Sequence, residues 1–503
     1  MKQEQENHIT KDSGYNGILK YIGIFGGVQG IVSAITLLKV SIVSRLLGPI
    51  GVGITEVYNR SIDLGKKVTD LGISYSAVQA ISEQRGEEDG LMEYAIKVVR
   101  SWSLWLALVG TLLFLLASPL LSRWSFDGDV TYTPMFRMLS LTVGCSVLMG
   151  GELAVLKGAR ILGRVAWYQL LSAVVMLGVS VPCYYVLGYS GIVPSLLLTA
   201  MGLLAVACWH SFKVFPYRVA LFSRKVIVDG LYIIRQGINY TLAGFLNSGA
   251  FYLISIYIFN RGSEGEAGCY SYGSLLISYL SMLVFAALDN EFFPRLSAAN
   301  KHKQRSNHIV NSQVEILLVL IAPLIVGFAV CLPLIAQVLL DDKFMPLIVM
   351  TQWGVVGLFF KVLMHPPACL SISKGESRTF LLQEVLSYTF MVAVMIGGFK
   401  LYGLNGLGVG MLLTNLFDWL TVWLIAKVRY DFAYSRRVWH LFAVQAPLLI
   451  ATLCVCLCTR GWMYVGGSAI VVAWAGIYAI RFLNRNTDLI HRLWSKIQRK
   501  VKH

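Results

Sequence analysis

Apolar residues run through this chain in long blocks separated by short polar breaks. Neither the two-residue alternation of a half-buried strand nor the single apolar stripe of a surface helix dominates. A hydrocarbon core about 30 Å thick is crossed by about 20 helical residues. On that measure the blocks predict fourteen spans: 18–47, 51–81, 94–121, 132–156, 165–187, 192–212, 231–259, 268–293, 310–340, 345–372, 380–399, 404–426, 438–458 and 463–482. The fold class expected is an all-α polytopic membrane protein.

Composition agrees: 56% of the 503 residues are hydrophobic and 14% charged, against roughly 25% charged in soluble domains. The net charge of +16 does not point to nucleic acid, because the basic residues are scattered over short loops and a tail. Alternate loops hold them: Lys157, Arg160 and Arg164; Lys213, Arg218, Arg224 and Lys225; Lys301, Lys303 and Arg305; Lys427, Arg429, Arg436 and Arg437. The intervening loops carry at most one each (Arg123, Arg261, Lys343, Lys400, Arg460). The positive-inside rule puts the basic set and both termini in the cytoplasm. The polar start lacks the apolar h-region of a secretory signal, so it is expected to be retained.

Sliding the first six spans along the next six by about 215 residues aligns four landmarks in order. Gly48-Pro-Ile-Gly51 faces Gly262-Ser-Glu-Gly265, Pro119 faces Pro333, Lys157-Gly158 faces Lys374-Gly375, and Gln169 faces Gln383. A duplicated even-numbered unit predicts two pseudo-symmetric six-helix lobes related by an axis along the membrane normal. The organisation expected is a segment 1–17, an N-lobe 18–212, a basic connector 213–230, a C-lobe 231–427, two added helices in 428–482 and a basic tail 483–503.

One span is anomalous. The second contains Glu56, Arg60, Asp63, Lys66, Lys67 and Asp70, and ionisable residues at membrane depth cost at least ~2.5 kcal/mol each. Positions 56, 60, 63, 67 and 70 advance by 4, 3, 4 and 3, which confines them to about 80° of one helical face. Their signs alternate, so neighbours are placed to neutralise one another. Two readings follow: a self-satisfied ion ladder, or the wall of a water-filled cavity. Other intramembrane charges are Lys39, Glu152, Arg235, Asp289, Glu291, Lys361, Glu384 and Asp418. Lys39 and Lys361 lie deepest; Arg235, Glu291 and Glu384 suit snorkelling near helix ends. Asn239, Thr241, Asn247 and Ser248 in the seventh span serve equally as interhelical bonds or sugar contacts.

The nine cysteines read as small buried apolar residues, implying neither disulfides nor zinc. Phosphate-loop, zinc-protease and nucleophile-elbow motifs are absent. No catalytic residue, metal or cofactor is expected. His365 before Pro366-Pro367 reads as a kink marker. Every loop is too short for the extramembrane active site of a membrane polymerase, which favours transport over catalysis.

Particular stretches resemble the multidrug/oligosaccharidyl-lipid/polysaccharide exporter superfamily. These are Ser44 to Gly53 (SRLLGPIGVG), Thr69 to Glu83 (TDLGISYSAVQAISE), Ala287 to Ser297, Asp342-Lys-Phe-Met, Ser373 to Ser377 and Tyr402 to Gly408. The chain looks most like the Wzx-type flippases, over about residues 18 to 482. The resemblance implies two lobes around a cationic cavity, alternating access, and transfer of an undecaprenyl-pyrophosphate-linked oligosaccharide (O-antigen of lipopolysaccharide or another surface polysaccharide unit) to the periplasmic leaflet. Carried over by position, Arg60 and Lys361 fall where related flippases often have a basic residue. The charge pattern adds Lys39, Lys67 and Arg235 as headgroup contacts. Asp63, Glu56 and Asp70, unusually acidic for the family, are the candidates for coupling to an H+ or Na+ gradient. Expected partners are the lipid-linked substrate, membrane lipids and polysaccharide polymerase or chain-length machinery. The rival readings are a drug/cation antiporter of the same superfamily, a membrane-embedded polysaccharide polymerase and a structural scaffold.

Overall fold

A computed structural model describes residues 2–84, 89–299, 302–459 and 461–486. Arg460 and the basic tail beyond 486 lie outside the described residues, as do the side chains of Asn239, Asp289 and Glu291. Thirteen α-helices and two short 3-10 turns account for almost all of the described residues, and no strand occurs among them. In order these are α1 (Lys2–Asp70), α2 (Ile73–Glu83), α3 (Asp89–Ser125), α4 (Thr133–Gly158), α5 (Leu162–Leu187), α6 (Ile192–Phe212) and α7 (Arg224–Arg261). There follow α8 (Glu266–Ala298), α9 (Lys303–Leu339), α10 (Leu347–Ser373), α11 (Ser377–Tyr430), α12 (Arg436–Cys458) and α13 (Trp462–Asn486).

Ten stretches are long and apolar enough to cross a membrane, and three of them are double. Val28–Asp70, Leu162–Phe212 and Ser377–Tyr430 have 43, 51 and 54 residues, about twice what one crossing needs. Each breaks near its middle at a glycine of positive φ: Gly48, Gly188 and Gly403. With α8, 33 residues long, the fourteen expected crossings are all present as helices. The protein is a multi-pass, all-α membrane protein.

The internal repeat reappears in backbone geometry. α3 and α9 are both 37 residues long, and each holds a proline (Pro119, Pro333) six residues before its end. The reversals 215 residues apart are alike: Gly188 has φ 57°, ψ −131° and Gly403 φ 58°, ψ −139°, a region closed to residues with a Cβ. After each reversal a glycine packs on the backbone eight residues earlier, Gly191 on Cys183 and Gly406 on Gly398.

The chain forms two compact units: one runs to Asn260 and takes in Leu339–Asp341, the other holds Arg261–Val338 and everything from Asp342. α7, the first helix of the second sequence copy, therefore packs with the first six spans. Small residues permit it: Gly237 lies on the backbone of Gly72, and Gly230 on the Trp102 indole. The first unit's core joins Ile73, Ala77 and Ile81 of α2 to Val98, Val99, Val147, Ile233 and Ile234. The second unit's core gathers apolar residues of α8 to α13 around Leu318, Ile325, Val355 and Phe359.

Two local expectations change. The second span is not one helix to 81, because Leu71 (φ 45°) and Gly72 (φ 77°) break it after Asp70. Of the cysteines only Cys269 is buried, while Cys331, Cys454 and Cys458 are exposed, as apolar residues facing lipid are free to be.

Candidate functional site

The charged stripe lies on the second limb of α1, residues 49–70, in the first unit. At 1.5 Å per residue, Arg60 stands about 18 Å and Lys67 about 28 Å from the break at Gly48. On the first limb Lys39 stands about 14 Å from the same break, at the depth of residues 57–58. Lys39 and Arg60 thus stand at similar helical distances from the break, each inside a stretch long and apolar enough to cross a membrane, and an ion at hydrocarbon depth needs water or a partner.

α7 runs alongside the limb. Phe251 lies under the Arg60 guanidinium at 4.9 Å, a Cβ at Gly249 would touch Leu64 at 3.9 Å, and one at Gly244 would press on the Lys67 stem at 3.2 Å. Gly237 and Thr241 reach Gly72.

The expected ladder closes at one rung. Arg60 Nε donates to Glu56 Oε1 at 2.7 Å, with both side chains largely covered. The other rungs stay open. Asp63 is exposed and makes no hydrogen bond or ion pair among the described residues. Lys67 places its ammonium 5.4 Å from the Tyr75 ring centre. Asp70, only 4% exposed, accepts from Ser74 Oγ at 2.8 Å. Ser74 follows Asp70 by four residues, across the break at Leu71 and Gly72. Asp63, Lys67 and the half-buried Lys66, 40° beyond the stripe's edge, form no ion pair among the described residues.

The second copy supplies a control. In the register of the sequence repeat Gly48 faces Gly262, and Gly51 faces Gly265, which opens α8. Glu56, Arg60, Asp63, Lys67 and Asp70 then correspond to Tyr270, Ser274, Ile277, Ser281 and Val284. Tyr270 and Val284 are buried. The same helix is thus built with no charge at any of the five positions, and folding alone does not require them.

Arg235 is exposed on α7, two residues before the Gly237 contact. Lys361 belongs to the second unit, where its Nζ donates to Ser281 Oγ at 3.2 Å and lies 5.6 Å from the Phe285 ring centre. It acts electrostatically on Asp418, one of whose carboxylate oxygens is buried without a hydrogen bond. Glu384 is half-buried within reach of the same aspartate. Among the described residues no group of His, Cys, Asp and Glu is placed to hold a metal.

Sequence reading missed a buried pair. Arg100, 1% exposed, donates to both oxygens of Glu152, 7% exposed, at 3.0 to 3.2 Å. It also donates to Ser211 Oγ and to the carbonyls of Phe215 and Pro216. Its partners lie 52 to 116 residues away, so no local pattern announces it. Phe251 and Tyr75 were also illegible, because an aromatic in a span is ordinary until a cation is seen above it.

Comparison with known proteins follows from this geometry. The family model described as polysaccharide biosynthesis protein matches residues 42–349. No functionally curated protein matches by sequence. Among solved structures, the lipid II flippase MurJ in an inward closed conformation is similar at a TM-score of 0.69 and 14% identity, over 93% of this chain and 99% of that one. An inward-facing multidrug resistance MATE family transporter of the MOP superfamily gives a TM-score of 0.65 at 16% identity, over 80% and 94%. A MOP superfamily transporter from Pyrococcus furiosus, described as having a binding pocket of reversed polarity, gives 0.53 at 17%, over 81% and 93%.

Proposed function

Because this chain belongs to the polysaccharide biosynthesis protein family, in the fold of lipid II flippase and MATE transporters, we propose that it is a flippase for a lipid-linked oligosaccharide. The cargo is a saccharide unit on an undecaprenyl pyrophosphate, such as an O-antigen or another surface polysaccharide repeat. It moves from the cytoplasmic to the periplasmic leaflet of a bacterial inner membrane by alternating access. The lipid stays in the bilayer, so only the headgroup needs a polar path.

The observation that carries this reading is the asymmetry of the two copies. Five charged positions on one face of 49–70 are uncharged in the corresponding helix. A helix that folds without charges keeps them, at a cost of several kcal/mol, where they meet something polar. Lys39, Arg60, Lys66, Lys67 and Arg235 outnumber Glu56, Asp63 and Asp70 by five to three in the first unit. That excess suits an anion carrying close to two negative charges, and Arg60 brings the planar fork suited to phosphate oxygens. Lys361, opposed by Asp418 in the second unit, is the weaker headgroup contact.

Asp63, exposed and without an ion pair among the described residues, is the acid best placed to take up a coupling proton or Na+, since binding must differ between inward and outward states. The same acid favours the second reading, a drug/cation antiporter. Purified protein in liposomes decides between them: transfer of a fluorescent undecaprenyl-pyrophosphate oligosaccharide supports the flippase, and export of a quaternary ammonium dye without lipid transfer overturns it.

A further inference from the structure

The connector between α6 and α7 is not a loose linker. Its backbone is tied to α3 at four points, with a fifth in the first turn of α7: Arg100 takes the carbonyls of Phe215 and Pro216, the Trp105 indole takes that of Leu221 and the Trp102 indole that of Val226, and Ser101 Oγ accepts from the Ala220 amide. With the backbone held inward, the side chains of Lys213, Phe222, Arg224 and Lys225 are left outward, all exposed. Phe222 is 85% exposed although its ring edge meets Trp105.

Among the described residues two acids of α3 and α7 are already used. Glu93 is paired with Arg218 at 3.0 Å, and Asp229 accepts from Tyr94 at 2.7 Å. Lys213 and Lys225 have aromatic rings as neighbours instead, Trp209 at 4.0 Å and Tyr94 at 5.0 Å. Arg224 makes no ion pair among the described residues. Three exposed cations without a carboxylate partner among the described residues thus share the 213–225 stretch with one exposed phenylalanine, where two membrane spans end. Cations on aromatic faces keep their charge available to an anion, and an apolar ring beside them matches the boundary between headgroup and acyl chain.

We propose that the 213–225 strap is a binding site for an anionic phospholipid of the leaflet it borders, with Lys213, Arg224 and Lys225 on the headgroup phosphate and Phe222 among the acyl chains. The site is separate from the charged stripe and independent of the cargo assigned to it. A soluble acidic protein would also be drawn to the charge, but it would have no use for the inserted ring, so Phe222 separates the two.

The test is native mass spectrometry of the full chain titrated with palmitoyl-oleoyl-phosphatidylglycerol and, separately, with the phosphatidylcholine of the same tails. Each cation removed is expected to weaken phosphatidylglycerol binding about fivefold, equivalent to about 1 kcal/mol. The triple variant Lys213→Gln, Arg224→Gln, Lys225→Gln should therefore lose about a hundredfold, with phosphatidylcholine unchanged. Phe222→Ala should weaken binding of both lipids, and its failure to do so overturns the insertion. A charge-matched control, Lys303→Gln, Arg429→Gln, Arg437→Gln, should change phosphatidylglycerol binding less than about threefold. If the strap variant, shown folded by an unaltered unfolding temperature, binds phosphatidylglycerol like the wild type, or the control loses as much, the site does not exist.

Discussion

Arg60→Ala separates a binding residue from a charge that merely neutralises its neighbour. In the structure the guanidinium holds Glu56 at 2.7 Å and stacks over Phe251. If it also holds a phosphate, the variant loses a hydrogen bond between charged groups, about 1.5–3 kcal/mol, which is about tenfold to a hundredfold in transport rate at limiting substrate. The single variant is ambiguous, because it also removes the guanidinium bonded to Glu56, a side chain only 11% exposed, and loss of that pairing would itself affect stability or the cavity. The double variant Arg60→Ala, Glu56→Gln removes that ambiguity. With lipid-linked oligosaccharide transfer in liposomes as the assay, the double variant should remain as impaired as the single one, and Arg60→Lys should recover part of the rate, since an ammonium supplies charge without the fork. Wild-type transfer by Arg60→Ala, or full recovery in the double variant, refutes the headgroup role and makes the rung structural.

Three further outcomes are expected. Arg100→Met should destabilise the protein by about 3–5 kcal/mol, because it leaves the Glu152 carboxylate buried and alone, while Glu152→Gln should cost clearly less; unfolding temperature in detergent measures both. Asp63→Asn should abolish the dependence of transport on an ion gradient while leaving substrate binding intact, and retained gradient dependence removes Asp63 from the coupling role. Single cysteines replacing Arg261 and Lys400 should react with an impermeant reagent from outside intact cells, whereas those replacing Lys225, Arg305 and Arg437 should not, and the reverse pattern inverts the orientation and the direction of transport.

The sequence alone determined the number of crossings, the helical class and the duplication, because each follows from a local or periodic property. A span is about twenty apolar residues wherever its neighbours lie, and a repeat is an offset. The stripe at 56, 60, 63, 67 and 70 was legible for the same reason, since 3.6 residues per turn puts those positions on one face without reference to any other helix. Tertiary structure decided who partners whom. Residue spacing allowed every rung of the ladder to close, yet Asp70 accepts from Ser74 Oγ and Lys67 lies beside the Tyr75 ring. α7 brings Phe251 to Arg60 and lays Gly244 against Lys67. The grouping of α7 with the first six spans, and the Arg100–Glu152 pair that ties the connector down, depend on contacts between residues 52 or more positions apart. Apolar periodicity tells a helix to enter the bilayer, but inside it every side chain sees the same hydrocarbon. The choice among neighbours then falls to close approach of small residues and to single polar contacts, which no one-dimensional pattern records.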